Sequence, residues 1–183
     1  MKIEFSEAQL LERRRTLAGL EPLRTDCTIE CVDGIDVDTL LKQQLRQWYL
    51  DLLDKGDLRQ LALQDVASQL TLLCRSDGGA DITLPESCRR LIAIRMGTWL
   101  HEAEVVKAAD AKRRLAMVGN SYCRPGVNTP LAVDFGGGRI TVYPAEPGMN
   151  IVTATAAVDA GPGKYIFDES ALASLADLPL TLN

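Results

Sequence analysis

The segment 84–99, LPESCRRLIAIRMGTW, restricts the fold more than any other part of the chain. Pro85 and Ser87 break a helical approach, and Ile92, Ile94 and Met96 then recur every second residue while Arg95 points the other way. That period belongs to a strand, because successive side chains of an extended chain leave on opposite faces. A strand is expected over 89–96, and it requires a sheet and a core around it. Charged, helix-prone blocks lie mostly before this segment, and Gly/Pro-punctuated, β-prone blocks mostly after it. The chain therefore reads as α+β: an N-terminal helical part with a long amphipathic helix, packed against a mostly antiparallel β part with a C-terminal hairpin.

The clearest helix is 38–55. Asp38 is a good cap, Leu41, Leu45, Trp48 and Leu52 recur at spacings of four, three and four, and Gly56 ends the pattern. Leu40, Tyr49 and Leu53 widen its apolar stripe. A thinner helix is expected within 1–20, capped by Ser6, with Leu10, Leu11 and Leu17 as its apolar side and Gly19 as its stop. Residues 21–36 read as a connector with one short strand at 28–32, and 57–63 as a second helical turn. The stretch 66–75 fits a buried strand and a helix end equally.

Asp77-Gly78-Gly79 is a turn signal, followed by a strand at 81–84. After a bend at 97–99, the residues 100–106 are strand-like and 110–118 can make two helical turns. The best hairpin follows a proline-bearing loop at 120–130: Leu131, Val133 and Phe135 alternate, Gly136-Gly137-Gly138 turns, and Ile140 and Val142 return. Residues 151–158 and 165–167 are further strand candidates, Asp168 can cap a last helix to Ala176, and 177–183 read as a docking tail.

With 183 residues the chain has the length of a single domain, 1–183, that buries a core without staples. A shift of composition near residue 120 marks two lobes within it, 1–119 helical or mixed and 120–183 β-rich. No apolar run is long enough to cross a bilayer, so no membrane contact is expected, and the first residues lack the apolar centre of a signal peptide. Synthesis in the cytoplasm follows as the expectation. The formal charge of −5 disfavours extended nucleic-acid contact.

Candidate chemistry is sparse. Of five cysteines, only Cys27 and Cys31 are close, and their three-residue gap with a single histidine in the chain, His101, does not make a zinc set. Metal and cofactor are therefore both expected to be none. His101 with Glu102 or Glu104 can in principle exchange protons, which gives the alternative of a small enzyme or ligand-binding domain. The three glycines at 136–138 lead into a strand, not a helix, so they are a turn and not a phosphate loop. Asp77 and Asp81 supply too few oxygens for calcium. Arg89, Arg90 and Arg95, with Lys112, Arg113 and Arg114, can form a basic patch for DNA or phosphate, a set of intersubunit ion pairs, or a solvated face. In the loop 120–130, two prolines reduce the entropy lost on ordering, and Tyr122 and Arg124 are residue types that anchor interfaces. Recognition and mere connection are both open for it. An uncharacterised protein-interaction domain is the remaining alternative.

Three stretches resemble one family. The segment LPESCRRLIAIRMGTW, the segment NSYCRPGVNTPLAVDFGGGRITVYPA and the helix LLKQQLRQWYLDLLDKG with LRQLAL after it are similar to head–tail adaptor, or neck, proteins of short-tailed bacteriophages and related prophages of gut bacteria. The resemblance covers about 36–145. Leu84 and Pro85 match the motif's opening, Arg90 and Leu91 its core and Trp99 its closing aromatic. Arg124 and Pro125 match the loop pair, and Tyr143 and Pro144 the hairpin's end. Ser87-Cys88 depart from the Asp-Phe pair common at that point, and the first 35 residues match no part of the motif. The resemblance implies a non-enzymatic virion component that self-associates into a ring, commonly of twelve copies, and bridges portal and tail proteins. Arg90, Arg95, Trp99, Tyr122, Arg124 and Pro125 are the interface candidates.

Overall fold

The computed structural model describes residues 1–17, 19, 37–120 and 122–178. The connector 20–36, with Cys27, Cys31 and the strand expected at 28–32, and most of the tail lie outside the described residues. The fold is α+β, and the chain divides into two compact units, Met1–Ala62 with Asp159–Asn183, and Leu63–Val158.

In the first unit, strand β1 (Lys2–Ser6) pairs antiparallel with β10 (Lys164–Asp168). The sequence reading missed β1, whose only signal is the alternation of Ile3 and Phe5 over five residues. Helix α1 (Glu7–Leu17) follows at once. Ser6 Oγ accepts from the Gln9 N–H at 3.3 Å while Gln9 Oε1 accepts from the Ser6 N–H at 2.9 Å, a reciprocal cap that satisfies two donors at the helix start. Leu10 and Leu11 are buried as expected, but Leu17 is exposed. Gly19 takes a positive φ, which suits it to stopping the helix.

Helix α2 (Val37–Lys55) buries Leu41, Leu45, Trp48, Tyr49, Leu52 and Leu53. Its aromatic side lies on the β1–β10 sheet: Trp48 meets Phe167 edge-on at 5.3 Å, and Tyr49 meets Tyr165 at 5.2 Å. The Tyr49 hydroxyl donates to the Ile166 carbonyl at 3.3 Å. After Gly56 comes a 3-10 turn, Leu58–Gln60, capped by Asp57. At the far end Asp168 caps the 3-10 turn Glu169–Ala171, which runs into α4 (Leu172–Ala176). Arg14 is buried without a carboxylate partner among the described residues. Its guanidinium donates to the carbonyls of Leu175 and Leu178 at 3.5 and 2.5 Å, a cation at a helix C-terminus, and burial lowers its pKa.

In the second unit, among the described residues, eight strands form one sheet in the order β2-β9-β5-β6-β7-β8-β4-β3. These are β2 (Gln64–Asp65), β3 (Thr71–Cys74), β4 (Ala80–Thr83), β5 (Cys88–Met96), β6 (Ala103–Lys107), β7 (Leu131–Asp134), β8 (Arg139–Tyr143) and β9 (Ile151–Val158). All neighbours are antiparallel except β6 and β7. The connection between those two carries helix α3 (Ala108–Ala116), as a parallel crossover requires. The two strands flank residue 120 and pair within one sheet, so the composition shift is no structural boundary.

β5 fulfils the expectation for 89–96, with one refinement. Its pairing with β9 shifts register at three places, so Leu91 and Ala93 turn inward beside Ile94 and Met96 while Ile92 is half-buried. The main core gathers Ile82, Leu91, Ile94, Met96, Trp99, Ala132, Ile140 and Val142 on one side of the sheet. A smaller one holds Leu131, Val133 and Tyr143 under Ala111, Leu115 and Val118 of the α3 region. The hairpin β7–β8 is thus buried on both faces.

Gly79 shows how tightly this unit is closed: a Cβ there would sit 2.4 Å from the ring of Tyr143, which is itself buried. Gly79→Ala is expected to lower stability by about 1–3 kcal/mol, the cost of overpacking a closed site. Urea unfolding of the two proteins measures the difference.

Candidate functional site

A cleft of about 250 Å³ in the second unit is lined by three segments that are far apart in sequence. These are the β3–β4 turn at Asp77 and Gly78, the loop 124–127, and the residues after β8 from Tyr143 to Glu146, with Val118 beside them. Two of the segments are tied to each other, the Ala145 N–H donating to the Gly78 carbonyl at 2.8 Å, and the loop is tied to the body by the Leu100 N–H on the Val127 carbonyl at 3.0 Å. The loop starts on an Asx turn, with the Tyr122 N–H on Asn120 Oδ1 at 2.9 Å, and the Arg124 N–H returns to the Asn120 carbonyl at 2.9 Å. The peptide bond between Tyr143 and Pro144 is cis.

Trp99 is 1% exposed. Its Nε1 donates to the Pro144 carbonyl at 2.9 Å, so it holds the cleft's floor from beneath. This corrects the reading of Trp99 as a surface interface residue: an indole this size is buried where its one polar atom finds an acceptor.

One wall is polar. The Tyr143 hydroxyl donates to Asp77 Oδ2 at 3.2 Å, and Arg75 pairs with the same oxygen at 2.9 Å. Burial first, and then the Asp77 charge, hold the Tyr143 phenol above its ordinary pKa, so it stays a donor. Next to this, Asp81 accepts from the Thr141 hydroxyl at 2.7 Å and pairs with Arg75 and Arg139 at 3.4 and 3.0 Å. Burial works against its ionisation, but the hydrogen bonds and the two cations outweigh it and set its pKa below the ordinary carboxylate value. By contrast, the Arg124 guanidinium and the Glu146 carboxylate, both at the cleft, have no ion-pair partner among the described residues.

Of the sequence-singled residues, Arg124 and Pro125 line the cleft together with Tyr143 and Pro144, and Trp99 supports it. Tyr122, on the same loop, is 96% exposed. Arg95 is exposed and Arg90 half-buried on β5, and neither lines the cleft. His101, Glu102 and Glu104 are all exposed, and none of them lines it either. Asp77 and Glu146 were missed as cleft residues: the first reads as a turn residue and, with Asp81, as too poor an oxygen set for calcium, and the second has no pattern to mark it. Among the described residues no group of three or more His, Cys, Asp or Glu side chains is placed to hold a metal ion, and no helix is long and apolar enough to cross a membrane. Cys88 is buried, and burial pushes its thiol up to about 11, which keeps it un-ionised and unreactive at neutral pH. No protein-family model matches the chain, and no curated protein matches it significantly.

Two outcomes follow from this geometry. Trp99→Phe leaves the Pro144 carbonyl without its donor and is expected to cost about 1–3 kcal/mol in denaturant unfolding. Asp81→Asn is expected to destabilise at neutral pH, with the gap to wild type closing as the pH falls through the carboxylate range. The sign follows from a folded-state pKa below the unfolded one, whose stabilisation is lost on protonation; unfolding curves across that range measure it.

Proposed function

We propose that this chain is a non-enzymatic assembly protein that works by fitting its surface to other protein molecules, as a head–tail adaptor of a phage or prophage virion. The observation that carries the reading is the loop 122–127. It presents Tyr122 almost wholly to solvent, with Arg124 at the cleft without an ion-pair partner among the described residues and Val127 exposed, although it is tied to the body by backbone hydrogen bonds. An aromatic and an arginine on a braced loop are the composition of a binding anchor, because little ordering entropy is left to lose on docking. The motif resemblance of 36–145 to adaptor proteins adds the partner class: portal and tail proteins, and further copies of the chain.

The cleft itself suits this use. It is smaller than the ~300 Å³ at which drug-sized ligand sites begin, and it suits one protruding side chain more than a cofactor. The protein is expected to associate, alone or with a partner portal protein, and the Tyr122→Ala and Arg124→Ala variants to associate more weakly. Size-exclusion chromatography with light scattering measures this. Monomer alone in both settings would sink the reading.

A further inference from the structure

The eight-stranded sheet ends, among the described residues, on β2 at one edge and β3 at the other. The two edges are guarded differently. β2 is only Gln64–Asp65, short and charged, which gives a foreign strand little to pair with. β3 runs Thr71-Leu72-Leu73-Cys74 without a charge, a proline or a register shift against β4. Leu72 and Cys74 pack toward the main core, and Leu73, on the other face, is 69% exposed.

The hydrogen-bond phase of this edge is fixed by its hairpin. The Arg75 N–H donates to the Gly79 carbonyl at 2.8 Å, so by alternation Leu73 with Asp81 and Thr71 with Thr83 are the bonded pairs of β3 and β4. On the far side of β4 the Leu84 N–H donates to the Gly138 carbonyl at 3.1 Å, which assigns Ile82 and Ala80 to β8 and agrees with that phase. The N–H and C=O groups of Leu72 and Cys74 therefore point away from β4. Among the described residues none of these four groups has a hydrogen-bond partner.

We propose that two copies of this chain join their β3 strands antiparallel, about a two-fold axis at Leu73. The register follows from which groups are open. With Leu73 opposite the partner's Leu73, Leu72 pairs with the partner's Cys74 and Cys74 with the partner's Leu72, and every outward group of both strands is used. Sliding the partner two residues one way sets Cys74 against the partner's Leu70, whose N–H already donates to the Ala67 carbonyl at 3.4 Å. Sliding it the other way sets Leu73 against the partner's Arg75. In the central register the exposed leucines form a non-hydrogen-bonded pair, where cross-strand side chains come closest, and Arg75 faces Thr71, so no like charges oppose. The edge thus complements itself, and the occupant is a second copy. One strand serves both partners, so the contact is spent at two copies and builds no ring. It is small, and the pairing is weak and concentration-dependent. It uses neither the loop 122–127 nor the cleft, and it stands or falls apart from the function proposed above.

Sedimentation velocity of the full-length protein, over a dilution series into the sub-millimolar range, is expected to show wild type pass from monomer to dimer and stop there. Leu73→Lys and Leu73→Glu change an exposed side chain and are checked for folding by circular dichroism. Each alone is expected to dimerise about tenfold more weakly, because like charges then face each other across the axis, and the two mixed are expected to pair again. Residue-resolved amide exchange is expected to slow at Leu72 and Cys74 on dimerisation and to stay unchanged at Leu73, whose N–H already serves β4. Wild type that stays monomeric throughout, variants that dimerise like wild type, or a mixture no tighter than its components overturns the pairing. Portal association, read with the Tyr122 and Arg124 variants, is untouched by any of these results.

Discussion

Everything that gives the second unit a working surface depends on the register of the hairpin β7–β8. Its side chains are buried on both faces: Ala132, Ile140 and Val142 enter the main core, and Leu131, Val133 and Tyr143 enter the smaller one beneath α3. A slip of one residue would exchange the two sets and drive Thr141 and Tyr143, whose hydroxyls serve Asp81 and Asp77, into the apolar side. Burying hydroxyls away from their acceptors costs about 1–3 kcal/mol each, so the register is held from both sides of the sheet. The three-glycine turn sets it at one end, and the Trp99 hydrogen bond to Pro144 anchors the other.

That one constraint positions the cleft. The cleft is where β8 leaves the sheet and meets the β3–β4 turn and the proline-bearing loop. Charges on the outer side of the sheet are sorted accordingly. Arg75, Asp77, Asp81 and Arg139 are engaged in one network, and Arg124 and Glu146 at the cleft have no ion-pair partner among the described residues. Partly exposed ion pairs contribute little to stability, so the network's main effect is to fix the direction of the polar wall.

Local patterns made much of this fold legible. The α2 stripe of Leu41, Leu45, Trp48 and Leu52, the alternation in β5 and the glycine-turned hairpin each repeat over several residues, and each appears where the pattern places it. What stayed hidden was long-range. β1 is five residues long and acquires its identity only by pairing with β10 from the other end of the chain. The parallel pairing of β6 with β7 crosses the composition shift near residue 120, because sheet hydrogen bonds are indifferent to the composition of the loop between. At the site, the residue types Arg124 and Pro125 were readable, yet Glu146 and Asp77 gain a role only through the three-segment meeting. Trp99 carries the opposite lesson: an aromatic in a motif reads as a contact residue, but its size and single donor seat it in the core.

The account's central claim is the proposal that this molecule docks other protein molecules through the loop 122–127 and the cleft beside it. Hydrogen–deuterium exchange of the wild-type protein, compared between dilute monomer and the associated state, tests it most directly. The account predicts that amides of 122–127 and 144–146 slow together on association while those of β5 and β9 do not change. Protection confined to other segments would contradict it.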